Sequence, residues 1–435
     1  MKHVFEAIAA QAPFPQFLEL LECSKQPLFE QIDGRLKSPI AAKALTLKTL
    51  NTALAQFHFA TRSAHLFSKP LGLVVDPINN CNLACPGCVH STRAVNDHLF
   101  DWNSGMLSEA RFEGLLRQYG PYALEIMLCN YGEPLMNPLT PRFIRIARSY
   151  LMRTGLSTNM TPRRFDAQAY VESGLDFMTV SLDGATQSIY EKYRRKGDLG
   201  SAFENIRSLI AARKASGRRT PIVSWQFLAF EHNAHEIGDA IEIARQLGID
   251  QFMVASPFDV SWDEPGIRPA RNVVPRVIHF TGASDERLIA NWPAELRAQE
   301  IEAAFAAKWT HGATPASGEP SEHTCQWLYR NLVMDANGRV LPCCAAPKPG
   351  VDLVFDRFNE PSTDSFNSTK FELARTYFAS PEAYAAVKSE ADPHCVNCEW
   401  NQDTAHTDSA QVEQYFRTVP GQIFNRETIA CLANW

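Results

Sequence analysis

Between residue 70 and about residue 255 the chain alternates short apolar runs with amphipathic stretches. "LGLVVDP", "EIMLCN", "TGLSTN", "FMTVSLD", "PIVSWQFLAF" and "QFMVAS" read as strands, rich in branched and aromatic residues. Between the second and third, Thr140-Pro141 predicts a helix cap with proline at the first position. Phe143, Ile146, Ala147, Tyr150 and Leu151 then recur at the spacing of one buried helical face, and Gly155 predicts where that helix ends. After the fifth strand Ile237, Ala240, Ile241 and Ala244 repeat the pattern. Six such alternations require a mostly parallel sheet with helices outside it. The fold class is therefore α/β, a partial (β/α)6 TIM-like barrel, whose loops at the strand C-terminal ends form the active site.

The flanks read differently. Residues 1–69 are rich in Ala, Leu, Phe and Lys and form an N-terminal helical extension before the core barrel of residues 70–255. Residues 256–320, rich in Pro, Gly and Trp, make a bridging segment with one helix, "AELRAQEIEAAFAAKW". A small cysteine-rich domain follows at 321–405, and 406–435 form a C-terminal tail.

Of the 435 residues 45% are hydrophobic and 21% charged, ordinary for a soluble globular chain. A net charge of −6 offers no electrostatic case for nucleic acid or an anionic membrane as partner. No apolar run is long enough to cross a bilayer, and the N-terminus lacks a signal-peptide pattern, so a cytoplasmic location is expected. The eleven cysteines depart from this ordinary picture, because eight of them cluster. Cys81, Cys85 and Cys88 form one group; Cys325, Cys343, Cys344, Cys395 and Cys398 form another; Cys23, Cys129 and Cys431 stand alone. Close thiols in a reducing compartment point to metal rather than disulfides.

Cys81, Cys85 and Cys88 lie directly after the first strand. Structural zinc wants four closed ligands; an obvious fourth is lacking nearby, though His90 could serve. A four-iron cube held by three thiolates keeps one iron open for another ligand. This C-x3-C-x2-C loop resembles the radical S-adenosylmethionine superfamily. The resemblance implies a [4Fe-4S] cluster whose open iron chelates S-adenosylmethionine, with reductive cleavage to a 5′-deoxyadenosyl radical that takes hydrogen from substrate. One departure is Gly87, where the family usually carries an aromatic residue. Later strand ends extend the likeness. "NYGEPLMNP" resembles the GGEP motif, with Tyr131 replacing its first glycine. There Gly132 would leave backbone room and Glu133 would accept from the methionyl ammonium. Ser157, Thr158 and Asn159 stand where the family often reads TNG. "VSLDGATQSIYEKYRRKGD" resembles the fourth-strand pattern, making Ser181 and Asp183 candidate cofactor contacts and Arg194 a partner for the methionyl carboxylate. Gln226 and Asn233 of the fifth would lie near the ribose.

In the second group Cys325, Gly338 and Cys343 follow C-x12-G-x4-C, and "HCVNCEW" adds Cys395 and Cys398. This resembles the auxiliary-cluster extension called the SPASM domain; the later C-x5-C-x3-C run of a full one is absent. "NLVMDANGRVLPCC" reads as a hairpin turning at Asn337-Gly338, and "DSFNSTKFELAR" as the helix before the last cysteines. Cys325, Cys343, Cys395 and Cys398 suffice for a second [4Fe-4S] cluster, with Cys344 spare or competing with Cys343. Four thiolates in two pairs also suit tetrahedral zinc; the barrel upstream favours iron. Trp327 and Tyr329 read as core residues. Cys129, in the second strand, is a candidate hydrogen donor or simply a small buried residue.

The expected function is a radical S-adenosylmethionine oxidoreductase that passes a substrate electron to the auxiliary cluster, fed by a reductase or flavodoxin-type donor. A small polar substrate, sugar- or aminocyclitol-like, is the first expectation. The alternatives are a peptide-modifying enzyme, an epimerase using Cys129, or a metal-bearing binding protein on a barrel without catalysis.

Overall fold

The structure, a computed structural model, describes residues 47–48, 51–52, 54–55, 58–59, 62–91, 105–257, 266–280, 325–345, 353–358, 364–387 and 393–398. Six parallel strands form its centre: β1 (Gly72–Val75), β2 (Glu125–Met127), β3 (Arg153–Thr158), β4 (Phe177–Ser181), β5 (Ile222–Leu228) and β6 (Gln251–Ala255). Each falls on one of the expected runs. Between them lie α1 (Glu109–Tyr119), α2 (Thr140–Ser149), α3 (Ala167–Glu172), α4 (Gln187–Tyr193), α5 (Leu199–Ala215) and α6 (Ile237–Leu247). The barrel stays open. At one side β6 pairs antiparallel with β7 (Arg276–His279), and at the other β1 pairs in parallel with β8 (Asn331–Met334).

The two faces of this sheet differ in chemistry. Registered residues of a parallel sheet share a face, and alternate residues of a strand lie on opposite ones. Leu73, Ile126, Leu156, Met178, Val180, Val223, Trp225, Phe252 and Val254 are fully buried on one face, in a single core with Phe112, Phe143, Leu209 and Ala240 of the helices. On the other face Ser157 registers with Thr179 and that with Ser224, while Ser181 registers with Gln226 and that with Met253. Ser157, Ser181, Gln226 and Met253 remain half-buried. These positions make part of the inner face small and polar, while Val74, Met127, Phe177 and Ile222 share that face.

The auxiliary region continues this sheet. From β8 the chain turns into β9 (Arg339–Leu341), which pairs with β10 (Asp356–Arg357). The boundary expected near 321 therefore does not divide the sheet: β8 adds four parallel pairs to β1. Sequence pattern cannot reveal such pairing, because the partner strands lie far apart in the chain. The expected hairpin forms with Gly338 at φ +84°, and Asp335 accepts from the N–H groups of Asn337 and Arg339. Beyond it α7 (Trp327–Arg330), α8 (Thr369–Ala379), α9 (Pro381–Val387) and a tight turn at His394–Asn397 complete the described chain. Leu328 and Tyr329 are fully buried, and Trp327 packs against Val333 and Leu341.

Three local expectations need correction. Thr140 does not cap α2 from outside: it lies in the first turn, and its hydroxyl donates to the Pro134 carbonyl at 2.7 Å. Gly155 does not end that helix. It sits inside β3, where a Cβ would meet the Met127 sulfur at 2.5 Å, and the chain turns instead through Leu151 at φ +58°. β7 was hidden in the segment read as a bridge, its sequence "RVIH" too short to signal a strand alone. The helix expected at 294–309, Cys23, Cys431 and residues 406–435 lie outside the described residues. Of the N-terminal extension, Leu47, Lys48, Asn51, Thr52, Leu54, Ala55, His58 and Phe59 are helical. Buried Lys48 donates to the carbonyls of Gly120 and Ala123 at the end of α1.

Candidate functional site

The ends of β1 to β5 converge on the loop of Cys81, Cys85 and Cys88. That loop is shaped by a tight turn, in which Cys88 N–H donates to the Cys85 carbonyl at 3.1 Å across Pro86-Gly87. Gly87 takes φ +72°, as the third position of a type II turn requires. Glycine here, rather than an aromatic residue, has a backbone reason.

Neighbouring strand ends clamp the loop. Glu133 N–H donates to the Asn80 carbonyl at 2.9 Å, and a Cβ on Gly132 would stand 1.6 Å from the Ile78 carbonyl oxygen. Only glycine allows that approach. Ala84 N–H donates to the Arg195 carbonyl, tying in the end of α4. Leu83, Cys85, Tyr193, Leu228, Phe230, Ala255 and Ile267 form a small apolar core, with Cys81 and Cys88 against it.

Each thiol has its own donors. Asn159 Nδ2 lies 3.6 Å from Cys81 Sγ, with Leu83 N–H at 3.5 Å. The Arg194 guanidinium faces Cys85, and the His90 and Val89 N–H groups face Cys88. Burial pushes the metal-free Cys81 thiol up to about 12 and Cys85 to about 11, Arg194 opposing the rise at Cys85. Buried thiols that carry N–H donors but no full counter-charge fit a cationic iron–sulfur core, which would supply that charge. The donors also fix where the thiolates point. His90 is not a fourth ligand here: its Nε2 donates to the Tyr131 carbonyl at 2.7 Å.

Glu133 is buried and heavily engaged. Its carboxylate accepts from the Thr158 hydroxyl at 2.6 Å, Asn159 N–H at 2.8 Å and Leu135 N–H at 3.0 Å. Burial still dominates and raises its pKa to about 7. An unpaired carboxylate so placed fits an incoming ammonium, which would replace the lost hydration. Thr158 serves to hold Glu133. Asp183 is fully buried, 2.5 Å from Arg194 Nε, and accepts from Leu228 N–H at 2.7 Å. Asn233 donates both amide hydrogens, to the Asp183 and Leu228 carbonyls, and accepts from Phe230 N–H. Its geometry is that of a fastener for the β4 and β5 ends. Ser181 shares a hydroxyl contact of 3.3 Å with Ser157, and Gln226 stands beside Ser181 on the polar face.

Sequence reading missed Asp76. Fully buried at the end of β1, it accepts from the N–H groups of Asn130, Tyr131 and Gly132 and so shapes the whole "NYGEP" loop. The signal was present in "VVDP", an acid closing a buried strand.

The second group flanks the β8–β9 hairpin, Cys325 before it and the others beyond it. Cys395 lies within electrostatic reach of Cys325, Cys343 and Cys398; burial raises the Cys325, Cys343 and Cys395 thiols, and Cys398 adds to the rise at each. Cys344 is the exposed member. Among the described residues no three His, Cys, Asp or Glu side chains converge to hold one metal ion. Cys129 is half-buried, its thiol pushed up to about 12 by burial, with Asp76 and Cys344 adding to the rise. The two groups are joined: Tyr131 takes the His90 contact at its carbonyl, and its hydroxyl donates to the Ala345 carbonyl at 2.6 Å.

Parallel strands covered by helices, with a three-cysteine loop after the first strand, define an open α/β barrel of the partial-barrel class. The profile of the Radical SAM superfamily matches residues 75–223, the segment holding the first cysteine loop and β1 to β4. That segment is a radical SAM domain, the domain of a family that binds a [4Fe-4S] cluster and S-adenosylmethionine. The chain is 24% identical over 282 residues to the PqqA peptide cyclase of Gluconobacter oxydans, covering 64% of this chain and 71% of that one. It is 25% identical over 178 residues to the pre-heme d1 synthase of Dinoroseobacter shibae, 40% of each chain. The crystal structure of Streptococcus suis SuiB bound to precursor peptide SuiA overlays with a TM-score of 0.47 at 16% identity, covering 78% of this chain and 71% of that one.

Proposed function

We propose that this radical SAM enzyme removes two electrons from a peptide substrate, the second passing to an auxiliary [4Fe-4S] cluster on Cys325, Cys343, Cys395 and Cys398. The observation that carries the reading is the joint between the two thiol groups. Tyr131 links His90, two residues after Cys88, to Ala345, two residues after Cys343. The segments that follow the two thiol groups are thus tied to one residue of the "NYGEP" loop. The peptide class rests on the 282-residue likeness to a peptide cyclase.

When bound, the cluster and S-adenosylmethionine supply one-electron reduction and hydrogen abstraction. The chain's own residues bind and orient. Glu133 offers its remaining lone pairs to the ammonium, and Arg194 its guanidinium charge to the carboxylate. Ser157, Ser181 and Gln226 hold polar groups on the inner face, and the apolar set around Tyr193 and Phe230 excludes water. An external reductase or flavodoxin-type protein would deliver the reducing electron. A second reading, oxidation of a small polar substrate, draws on the same polar face. In a third, redox-neutral epimerisation, Cys129 kept as S–H donates the hydrogen back.

The test uses anaerobically reconstituted protein with S-adenosylmethionine, offered a peptide library and, separately, a sugar and aminocyclitol set. Stimulated 5′-deoxyadenosine formation with a peptide product lighter by two hydrogens is expected. Cys395→Ala should still release 5′-deoxyadenosine but form no oxidised product. Oxidation confined to the sugar set replaces the peptide reading. Solvent deuterium entering a product of unchanged oxidation state replaces it with epimerisation.

A further inference from the structure

Arg375 in α8 is completely buried, yet every one of its hydrogen bonds goes to a neutral oxygen. Nε donates to the Leu328 carbonyl at 2.9 Å, Nη2 to Phe366 at 2.7 Å, and Nη1 to Ala64 at 3.2 Å and to Asn367 Oδ1 at 3.1 Å. Its guanidinium carbon stands 4.7 Å from the ring centre of Phe366, 5.2 Å from Phe371 and 5.8 Å from Tyr329. Three other buried arginines differ: Arg194 meets Asp183, Arg213 meets Asp250 and Arg339 meets Asp335; buried Arg330 has Glu125 as its opposing charge. Asp364 and Glu372 lie within electrostatic range of Arg375, but Asp364 is spent on Lys69 at 2.7 Å and Glu372 on His65 at 2.6 Å. Burial accordingly pushes Arg375 down to about 10.

A buried charge without a partner is costly and calls for an anion. The nearest remaining source is the auxiliary thiol group. Cys395 is within electrostatic range of Arg375 and shares its core with Phe371, Ala374 and Leu328, and α8 packs against the His394–Asn397 turn. We infer that Arg375 is the counter-charge of the auxiliary iron–sulfur cluster, a positioning residue that raises the cluster's reduction potential. The inference rests on the reading that these four thiols hold a cluster. An iron–sulfur core with four thiolates carries net negative charge, which grows on reduction, so a nearby buried cation favours the reduced form. A merely structural arginine would brace Ala64, Leu328 and Phe366 and leave the potential alone.

The test is a redox titration of the full-length reconstituted chain, followed by electron paramagnetic resonance, with iron counted in each sample. Arg375→Gln removes the charge, whereas Arg375→Lys keeps it. Asn367→Asp leaves the guanidinium in place and gives it a local carboxylate, which covers the case in which Arg375→Gln does not fold. Arg375→Gln and Asn367→Asp should each lower the reduced-to-oxidised ratio of the auxiliary cluster about tenfold at a fixed potential, about 59 mV for one electron. Arg375→Lys should stay near the wild-type potential. Two clusters in the wild type with potentials unmoved by the charge-removing changes overturn the assignment while leaving the cluster reading intact. Iron sufficient for only one cluster in the wild type overturns both.

Discussion

Buried acids at the strand ends carry most of the local work in this site, and each can be tested singly. Asp76 and Glu133 both have their pKa raised to about 7 by burial, from ordinary values of 3.8 and 4.5. A carboxyl whose folded pKa lies above its unfolded one binds protons more tightly when folded. Its stabilising contribution is then full below the unfolded pKa and is lost as pH rises through about 7. Cluster-free protein should therefore lose stability between about pH 4 and pH 7, and Asp76→Asn should flatten that slope. Thermal melts across this range decide it; parallel slopes in the two proteins would discard the burial argument. Gly132 makes a second case. Alanine there drives a methyl group into the Ile78 carbonyl, so Gly132→Ala should cost about 1–3 kcal/mol and strip iron from the first site. Urea denaturation and iron analysis measure both effects.

Among the elements, α4 and the ends of β4 and β5 hold together through one ion pair. Asp183 is fully buried and Arg194 largely so, and Asp183 also fixes the Leu228 N–H. Arg194→Ala leaves that buried carboxylate without its counter-charge, an effect of about 3–5 kcal/mol. The exposed pair between Arg142 of α2 and Glu109 of α1 is nearly as short, at 2.9 Å, yet both side chains are open to solvent. Arg142→Ala should change stability by less than about 1 kcal/mol. Equal losses in denaturation would mean that burial does not govern these pairs. Which charged residues matter is thus set by the elements around them, since "R" reads alike at both positions.

At the scale of the whole molecule, the auxiliary region supplies β8, which covers one edge of β1. Cutting the chain after residue 320 would expose that edge, with Val75 and Leu73 beside it. An uncovered apolar edge strand recruits other chains. The truncated barrel should form aggregates in size-exclusion chromatography while the full chain does not; a monodisperse truncated barrel would show that the barrel and the auxiliary region are separable.

The linear order of residues determined the six central strands, because burying one face against helices demands continuous apolar runs that only a strand of that length can use. It also determined the first cluster loop, since three ligands in eight residues need no distant partner. The turn at Asn337-Gly338 was legible for the same reason: its chemistry is local. What distant contacts decide was not legible. Gly155 had the appearance of a helix terminator until the Met127 sulfur from the next strand claimed the space its side chain would fill. Asn233 and Thr158 read as ligand contacts in the sequence, and the fold adds that their polar atoms meet Asp183, Leu228 and Glu133. Hydrogen-bond capacity is spent on whatever the fold brings near, and only the tertiary structure decides which groups remain to meet a cofactor.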